Sequence, residues 1–142
     1  MAMFDFGVRR KFIDRGSEKE IGELALHVQC AWRITRQDRV VVGSRDINYP
    51  ADYYEGGTVP DEFDWDRDPT RLDKLVLELF DQGTKQYVVQ RVEVGDAGRF
   101  CVVLSSDLSL QVFPDDSLPD EHWRLFIPRA HQPHFVVTGR IS

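Results

Sequence analysis

The sequence predicts an α+β fold. It should hold a mainly antiparallel sheet of about six to seven strands, with one main helix at about residues 69–82 packed on one face. Three observations carry this. Glu23–Thr35, ELALHVQCAWRIT, places Leu24, Leu26, Val28, Cys30, Trp32 and Ile34 at every second position, the period of a strand with one buried face. Residues 68–83, DPTRLDKLVLELFDQG, place Leu72, Leu75, Val76, Leu79 and Phe80 at the i, i+3, i+4, i+7, i+8 spacing of a helical stripe. The second half then runs through short β-rich segments separated by turn residues.

Taken in order, Phe4, Phe6, Val8, Phe12 and Ile13 supply an edge strand ahead of the polar turn DRGSEKE. The long alternating strand follows, with Leu24, Leu26, Val28, Cys30, Trp32 and Ile34 on its apolar face. RQD turns the chain into RVVVGS, which ends at Gly43 and completes a hairpin. Residues 44–68 show no period and form a long irregular connection, a length that marks a functional segment or a flap. Asp68 is the expected helix cap, Pro69 fits the first helical position and Gly83 fits the C′ stop. KQYVVQRVEV, RFCVVLS, LSLQVF, HWRLFIP and HFVVTGR read as strands, with GDAG at 95–98 and SSD at 105–107 as turns.

The two halves echo one another. Leu24, Leu26 and Val28 correspond to Leu108, Leu110 and Val112, Trp32-Arg33 to Trp123-Arg124, and Gly43 to Gly139. Either a β unit is duplicated around the helix, or two ordinary antiparallel hairpins share an L-x-L-x-V alternation. In each Trp-Arg pair the side chains point to opposite faces, so an inward Trp puts its Arg outward. The core of FPDDSLPDEHWRLF, about Pro114 to His122, falls where the first half has only QCA before its Trp-Arg, and reads as an insertion that breaks a long strand. There Asp115 suits an Asx turn and Ser117 with Asp120 suits a capping box opening one helical turn. Glu121 and His122 are left without a local structural task.

A chain of 142 residues fits a single domain spanning 1–142. No apolar run reaches the ~20 residues of a membrane span, and the start MAMFDFGVRRKF has no apolar signal region. Two cysteines make no disulfide framework, so a cytoplasmic setting with reduced thiols is expected. The net charge of −6 is concentrated in residues 44–68, where Asp46, Asp52, Glu55, Asp61, Glu62, Asp64, Asp66 and Asp68 face only Arg45 and Arg67. Such a surface repels phosphate backbones, which argues against nucleic acid, and it is either a solvated loop or a dock for a basic partner.

Signatures of catalysis are absent: there is no G-x-S-x-G, G-x-x-x-x-G-K-[ST], H-E-x-x-H or C-x-x-C. GSRD at 43–46 sets Ser44 near Asp46 without a histidine tied to them by pattern. His131 and His134 have H-x-x-H spacing, yet Pro133 and the lack of spaced further ligands give no metal site, and no cofactor is expected. His27 lies on the polar face of its strand, while Cys30 and Cys101 read as buried small hydrophobes.

The blocks LHVQCAWRI, VVGSRDINYPAD, FDWD, LQVFPDDS, EHWRLF and PHFVVTG, which run in order from about Leu24 onward, resemble a family of small uncharacterised bacterial proteins of about this length. The resemblance implies a bacterial, cytoplasmic, single-domain protein and brings no catalytic residue. Immunity proteins that neutralise toxins are an analogy of size and charge only.

The expected function is a non-enzymatic, protein-binding domain, immunity- or antitoxin-like, whose contact surface is the acidic loop with Phe63, Asp64, Trp65 and Asp66. The rival expectation is a small-molecule binder or enzyme. Its site would be lined by acids including Glu121, by His122, and by Arg33 or Arg124 as an anion clamp.

Overall fold

A computed structural model of the chain describes residues 1–139. The described residues form an antiparallel α+β fold with one α-helix. Eleven strands in three sheets exceed the six or seven that the sequence suggests. Contacts gather the chain into two compact units, one of Met1–Cys30 together with the segment from Pro114 on, the other of Ala31–Phe113.

In the first unit, β1 (Ala2–Phe6), β4 (Leu24–Val28), β10 (Glu121–Phe126) and β11 (Phe135–Thr138) lie in that order in one sheet. A separate hairpin joins β2 (Arg10–Asp14) to β3 (Ser17–Ile21). The expected N-terminal edge strand is therefore present as β1, but much of the supposed polar turn is hairpin. Its turn sits at Arg15 and Gly16, both at positive φ, where glycine meets no steric cost.

The second unit is one sheet, in the order β6 (Arg39–Gly43), β5 (Ala31–Arg36), β9 (Leu108–Phe113), β8 (Phe100–Leu104) and β7 (Val89–Val94). Trp32, Ile34, Val42, Val102, Leu104, Leu108, Leu110 and Val112 are its buried hydrophobic residues. They come from alternate positions of their strands, as a one-faced sheet requires. The turns expected at RQD, SSD and GDAG carry positive φ at Gln37, at Ser106 and Asp107, and at Ala97 and Gly98.

The single long strand expected over Glu23–Thr35 is two strands in two sheets. Period 2 survives on both sides of the break, so the pattern alone could not reveal it. The cause lies in β10: the His122 carbonyl accepts the N–H groups of both Gln29 (2.8 Å) and Cys30 (3.2 Å), and β4 ends there. A matching break separates β9 from β10 across residues 114–120, where the sequence places its insertion.

Strand register repeats the internal echo. In the first unit Val28 pairs with Trp123, His27 with Arg124 and Leu26 with Leu125. In the second, Val112 pairs with Trp32, Gln111 with Arg33 and Leu110 with Ile34. Each L-x-L-x-V segment thus lies antiparallel to the Trp-Arg segment of the other half, in one register. The flanking strands also correspond: β1-β4-β10-β11 matches β8-β9-β5-β6, which leaves β7 outside the repeat.

The helix α1 (Arg71–Phe80) starts two residues later than its expected onset. Thr70 is the N-cap, its hydroxyl accepting the Asp73 N–H (3.4 Å) while the Asp73 carboxylate accepts the Thr70 N–H (2.8 Å). Asp68, the expected cap, instead accepts the N–H of Asp64 (2.9 Å). The helix stops on Asp81 in the left-handed region, ahead of Gly83. It contacts β6 and a 3₁₀ turn at Ser44–Asn48, and its apolar stripe is only half-buried.

Candidate functional site

The segment between Tyr49 and Arg71 leaves and returns at one point. Pro50 and Thr70 form an isolated antiparallel bridge, both buried. The Ala51 N–H donates to the Pro69 carbonyl (3.0 Å) and the Arg71 N–H to the Tyr49 carbonyl (2.8 Å). Between these pins the backbone runs through successive tight turns, with N–H to C=O bonds from Tyr53 to Pro50, Gly57 to Tyr54, and Phe63 to Pro60. A loop closed at its base and packed by its own side chains is the form in which long connections carry contacts.

The FDWD turn is held by its own carboxylates. Asp64 accepts the N–H of Asp66 (2.9 Å), an Asx turn, and its backbone carbonyl accepts Asp68 N–H (2.8 Å). Phe63 is half-buried and meets Trp65 edge-to-face at 4.6 Å between ring centroids. Trp65 is 49% exposed and Tyr54 is 72% exposed, among exposed Asp61, Glu62, Asp64 and Asp66. Here the sequence-predicted residues come together: Phe63 anchors the turn, Asp64 shapes it, and Trp65 and Asp66 are displayed.

The residues of the rival reading separate. Glu121 and His122 are neighbours on β10, at the register shift between Glu121 and Trp123, and their side chains meet different partners. His122 is 6% exposed, and its ring lies against the backbone of Gly139. Glu121 accepts the Gln29 side-chain amide (2.6 Å) and pairs with the Arg124 guanidinium through both Nε and Nη2. Both residues therefore have structural tasks, contrary to the expectation that they were left over. Asp115 and Asp116 are exposed, and residues 114–120 contain no helical turn. The Asx turn there belongs to Asp116, which accepts the Leu118 N–H (3.0 Å), and not to Asp115.

Around Arg124 lies a polar and aromatic group that the sequence did not flag. Arg124 Nη1 lies 3.0 Å from His134 Nδ1, where the guanidinium can act only as the donor. The Phe126 ring stacks on His134 (4.4 Å) and meets His27 edge-on (4.6 Å). The bond from Arg124 holds the Glu121 carboxyl below its ordinary value, and burial, helped by the Arg124 charge, lowers His27. Both shifts have one sign: stability is present above the ordinary values of 6.5 for His27 and 4.5 for Glu121 and is lost as pH falls through the lowered ones. A melting-temperature series from neutral pH downward should therefore decline, with His27→Gln flattening the earlier part of the fall and Glu121→Gln the later part. A parallel decline in all three proteins would contradict this.

Arg33 belongs to the second unit, in a row crossing four strands: Arg33 pairs with Gln111, Gln111 with Cys101, and Cys101 with Glu93. Its Nε donates to Gln111 Oε1 (2.6 Å), and its guanidinium sits 5.7 Å from the Phe113 ring centre. The row lines an open cleft of about 530 Å³ that also takes in Arg99. Cys101 is thus half-buried on the polar face, not in the core as its apolar neighbours suggested, and hairpin register was the signal that could have placed it.

Cys30 sits where β4 ends. Burial pushes its thiol up to about 11, which keeps it protonated and unreactive at neutral pH. Alkylation of Cys30 at pH 8 should run roughly a hundredfold slower than that of a free thiol. Peptide mapping after timed iodoacetamide exposure checks this, and labelling at the free-thiol rate would contradict it.

The remaining polar candidates have structural roles. Ser44 accepts the Trp32 N–H (3.2 Å), while Asp46 accepts the Gly43 N–H (2.9 Å) and pairs with Arg71 (3.4 Å). Among the described residues, no three His, Cys, Asp or Glu side chains are grouped as for a metal ion, and no helix is long and apolar enough to cross a membrane. No family model, curated protein or solved structure matches the chain.

Proposed function

We propose that this chain is a non-enzymatic, protein-binding domain that docks a basic partner on the 44–68 segment, in the manner of a bacterial immunity or antitoxin protein. The observation that carries the reading is Trp65: a large aromatic ring half in solvent, held edge-on by Phe63 on a closed loop, with exposed Asp64 and Asp66 on either side of it in the chain. Exposed tryptophans on pre-formed turns are typical binding hot spots, and surrounding acids raise the encounter rate with a basic surface. Because the loop is pinned at Pro50 and Thr70, little ordering is needed on docking, which favours affinity. The net charge of this segment equals the −6 of the whole chain, so the attraction is local to this surface.

Pull-down from the native host with immobilised protein tests the reading. Trp65→Ala should reduce recovery of the captured basic protein by roughly tenfold or more. Asp66→Lys should also reduce it, most strongly at low salt. These two residues are chosen because Asp64 builds the turn, so its replacement would confound folding with binding. Equal recovery by wild type and both variants would sink the assignment.

A further inference from the structure

β7 lies outside the repeated strand set and at the end of the second unit's sheet, and all six of its residues are exposed. Its backbone orientation follows from the hairpin that joins it to β8. The Gly95 N–H donates to the Arg99 carbonyl (3.0 Å), so Gly95 faces β8. By alternation Glu93 and Arg91 face β8 as well, and the N–H and C=O groups of Val92 and Val94 point to the open edge. The only register shift lies between Val89 and Arg91, which leaves the outer stretch of β7 regular.

The sequence around Val92 is self-complementary. Antiparallel pairing of β7 with itself, centred on Val92, would let the two Val92 residues exchange both backbone hydrogen bonds. That centre sets Arg91 of each copy opposite Glu93 of the other, twice over, at the non-hydrogen-bonded positions where side chains approach most closely. Within one copy Arg91 and Glu93 already share a face, with Arg91 Nε 2.8 Å from Glu93 Oε1, so pairing would make a four-charge cluster of alternating sign. On the opposite face the two Val92 side chains, 56% exposed, would lie opposite one another, with each Val94, 83% exposed, diagonal to the other copy's Val92.

We infer that β7 is a homodimerisation edge. The occupant is a second copy of this chain, joined by an isologous, two-fold β7–β7 ladder that makes one continuous sheet through both copies. The edge carries three valines and no proline, and its two charges, Arg91 and Glu93, repel a partner strand unless that strand sets the opposite charge against each, which the Arg-Val-Glu centre of a second copy does. This inference is independent of the docking role given to residues 44–68.

Sedimentation velocity over a concentration series tests it. Wild type should show a reversible monomer–dimer equilibrium. Arg91→Glu alone and Glu93→Arg alone each set like charges opposite twice, and each should weaken self-association by about tenfold or more. Mixing these two variants restores both opposite-charge pairs, so a heterodimer should form at near wild-type strength. Val92→Pro removes an N–H that only the second copy would use and should abolish dimerisation, with circular dichroism checking the fold. A wild type that stays monomeric throughout, or a dimer indifferent to all three substitutions, or single variants that fail to rescue one another, would overturn the inference.

Discussion

Trp32→Ala should cost about 3–5 kcal/mol, among the largest losses available to any single side chain in this chain. Trp32 is 5% exposed and sits mid-sheet on β5, with β6 on one side and β9 on the other. Its neighbours Ile34, Leu110 and Val112 belong to a sheet whose backbone is fixed by three ladders, so they cannot collapse into the space a missing indole leaves. In a domain of this size the loss corresponds to a fall of roughly 10–15 °C in melting temperature. Trp123, its counterpart in the repeated register, is only half-buried, so Trp123→Ala should cost clearly less. Thermal denaturation of the pair checks the ranking, and equal losses would contradict the burial difference.

Gly139→Ala should also be damaging, although it adds a single methyl group. A Cβ at Gly139 would collide with the Leu118 backbone carbonyl and stand 3.0 Å from His122 Nε2. The carbonyl belongs to the main chain and cannot rotate away, and the Gly139 N–H is itself fixed on the Asp120 carbonyl (3.1 Å). Relief would require moving residues 118–120 or displacing the buried His122 ring, an overpacking penalty of about 1–3 kcal/mol or more. Gly43, its partner in the sequence echo, has its closest such neighbour at 3.7 Å, ordinary contact. Gly43→Ala should therefore leave the melting temperature nearly unchanged. A tolerated Gly139→Ala would contradict the packing of the 114–120 turn against this strand end.

These two pairs show what was readable in the sequence. The echo of Trp-Arg and Gly could be seen in the residues, and strand register repeats its Trp-Arg part with the two halves exchanged. Unequal burial of Trp32 and Trp123, and unequal crowding of Gly43 and Gly139, could not be seen, because both depend on which strands lie beside them. The helix stripe was legible because five apolar positions fit one face. Its cap was misplaced by two residues because DPT offers two competent capping side chains, and the Asp64 N–H claimed Asp68. The split of Glu23–Thr35 was hidden because alternation survives a change of sheet, while β2 and β3 were hidden because RKFID and SEKEI are too polar to stand out.

Legibility of the candidate site differed by residue. Phe63, Asp64, Trp65 and Asp66 lie close in sequence, so their proximity followed from the chain itself. Glu121, Arg124, Gln29, His27 and His134 meet only through β4–β10 and β10–β11 pairing, which requires knowing the partners and the register. The same holds for the Arg33–Gln111–Cys101–Glu93 row.

Hydrogen–deuterium exchange of the protein alone and with its captured basic partner tests the central claim most directly. Docking on the 44–68 segment predicts new backbone protection at residues 53–66, with β10 and β11 unchanged. Protection confined to Glu121–Phe126 and the strand beside it, with residues 53–66 exchanging as in the free protein, would contradict it.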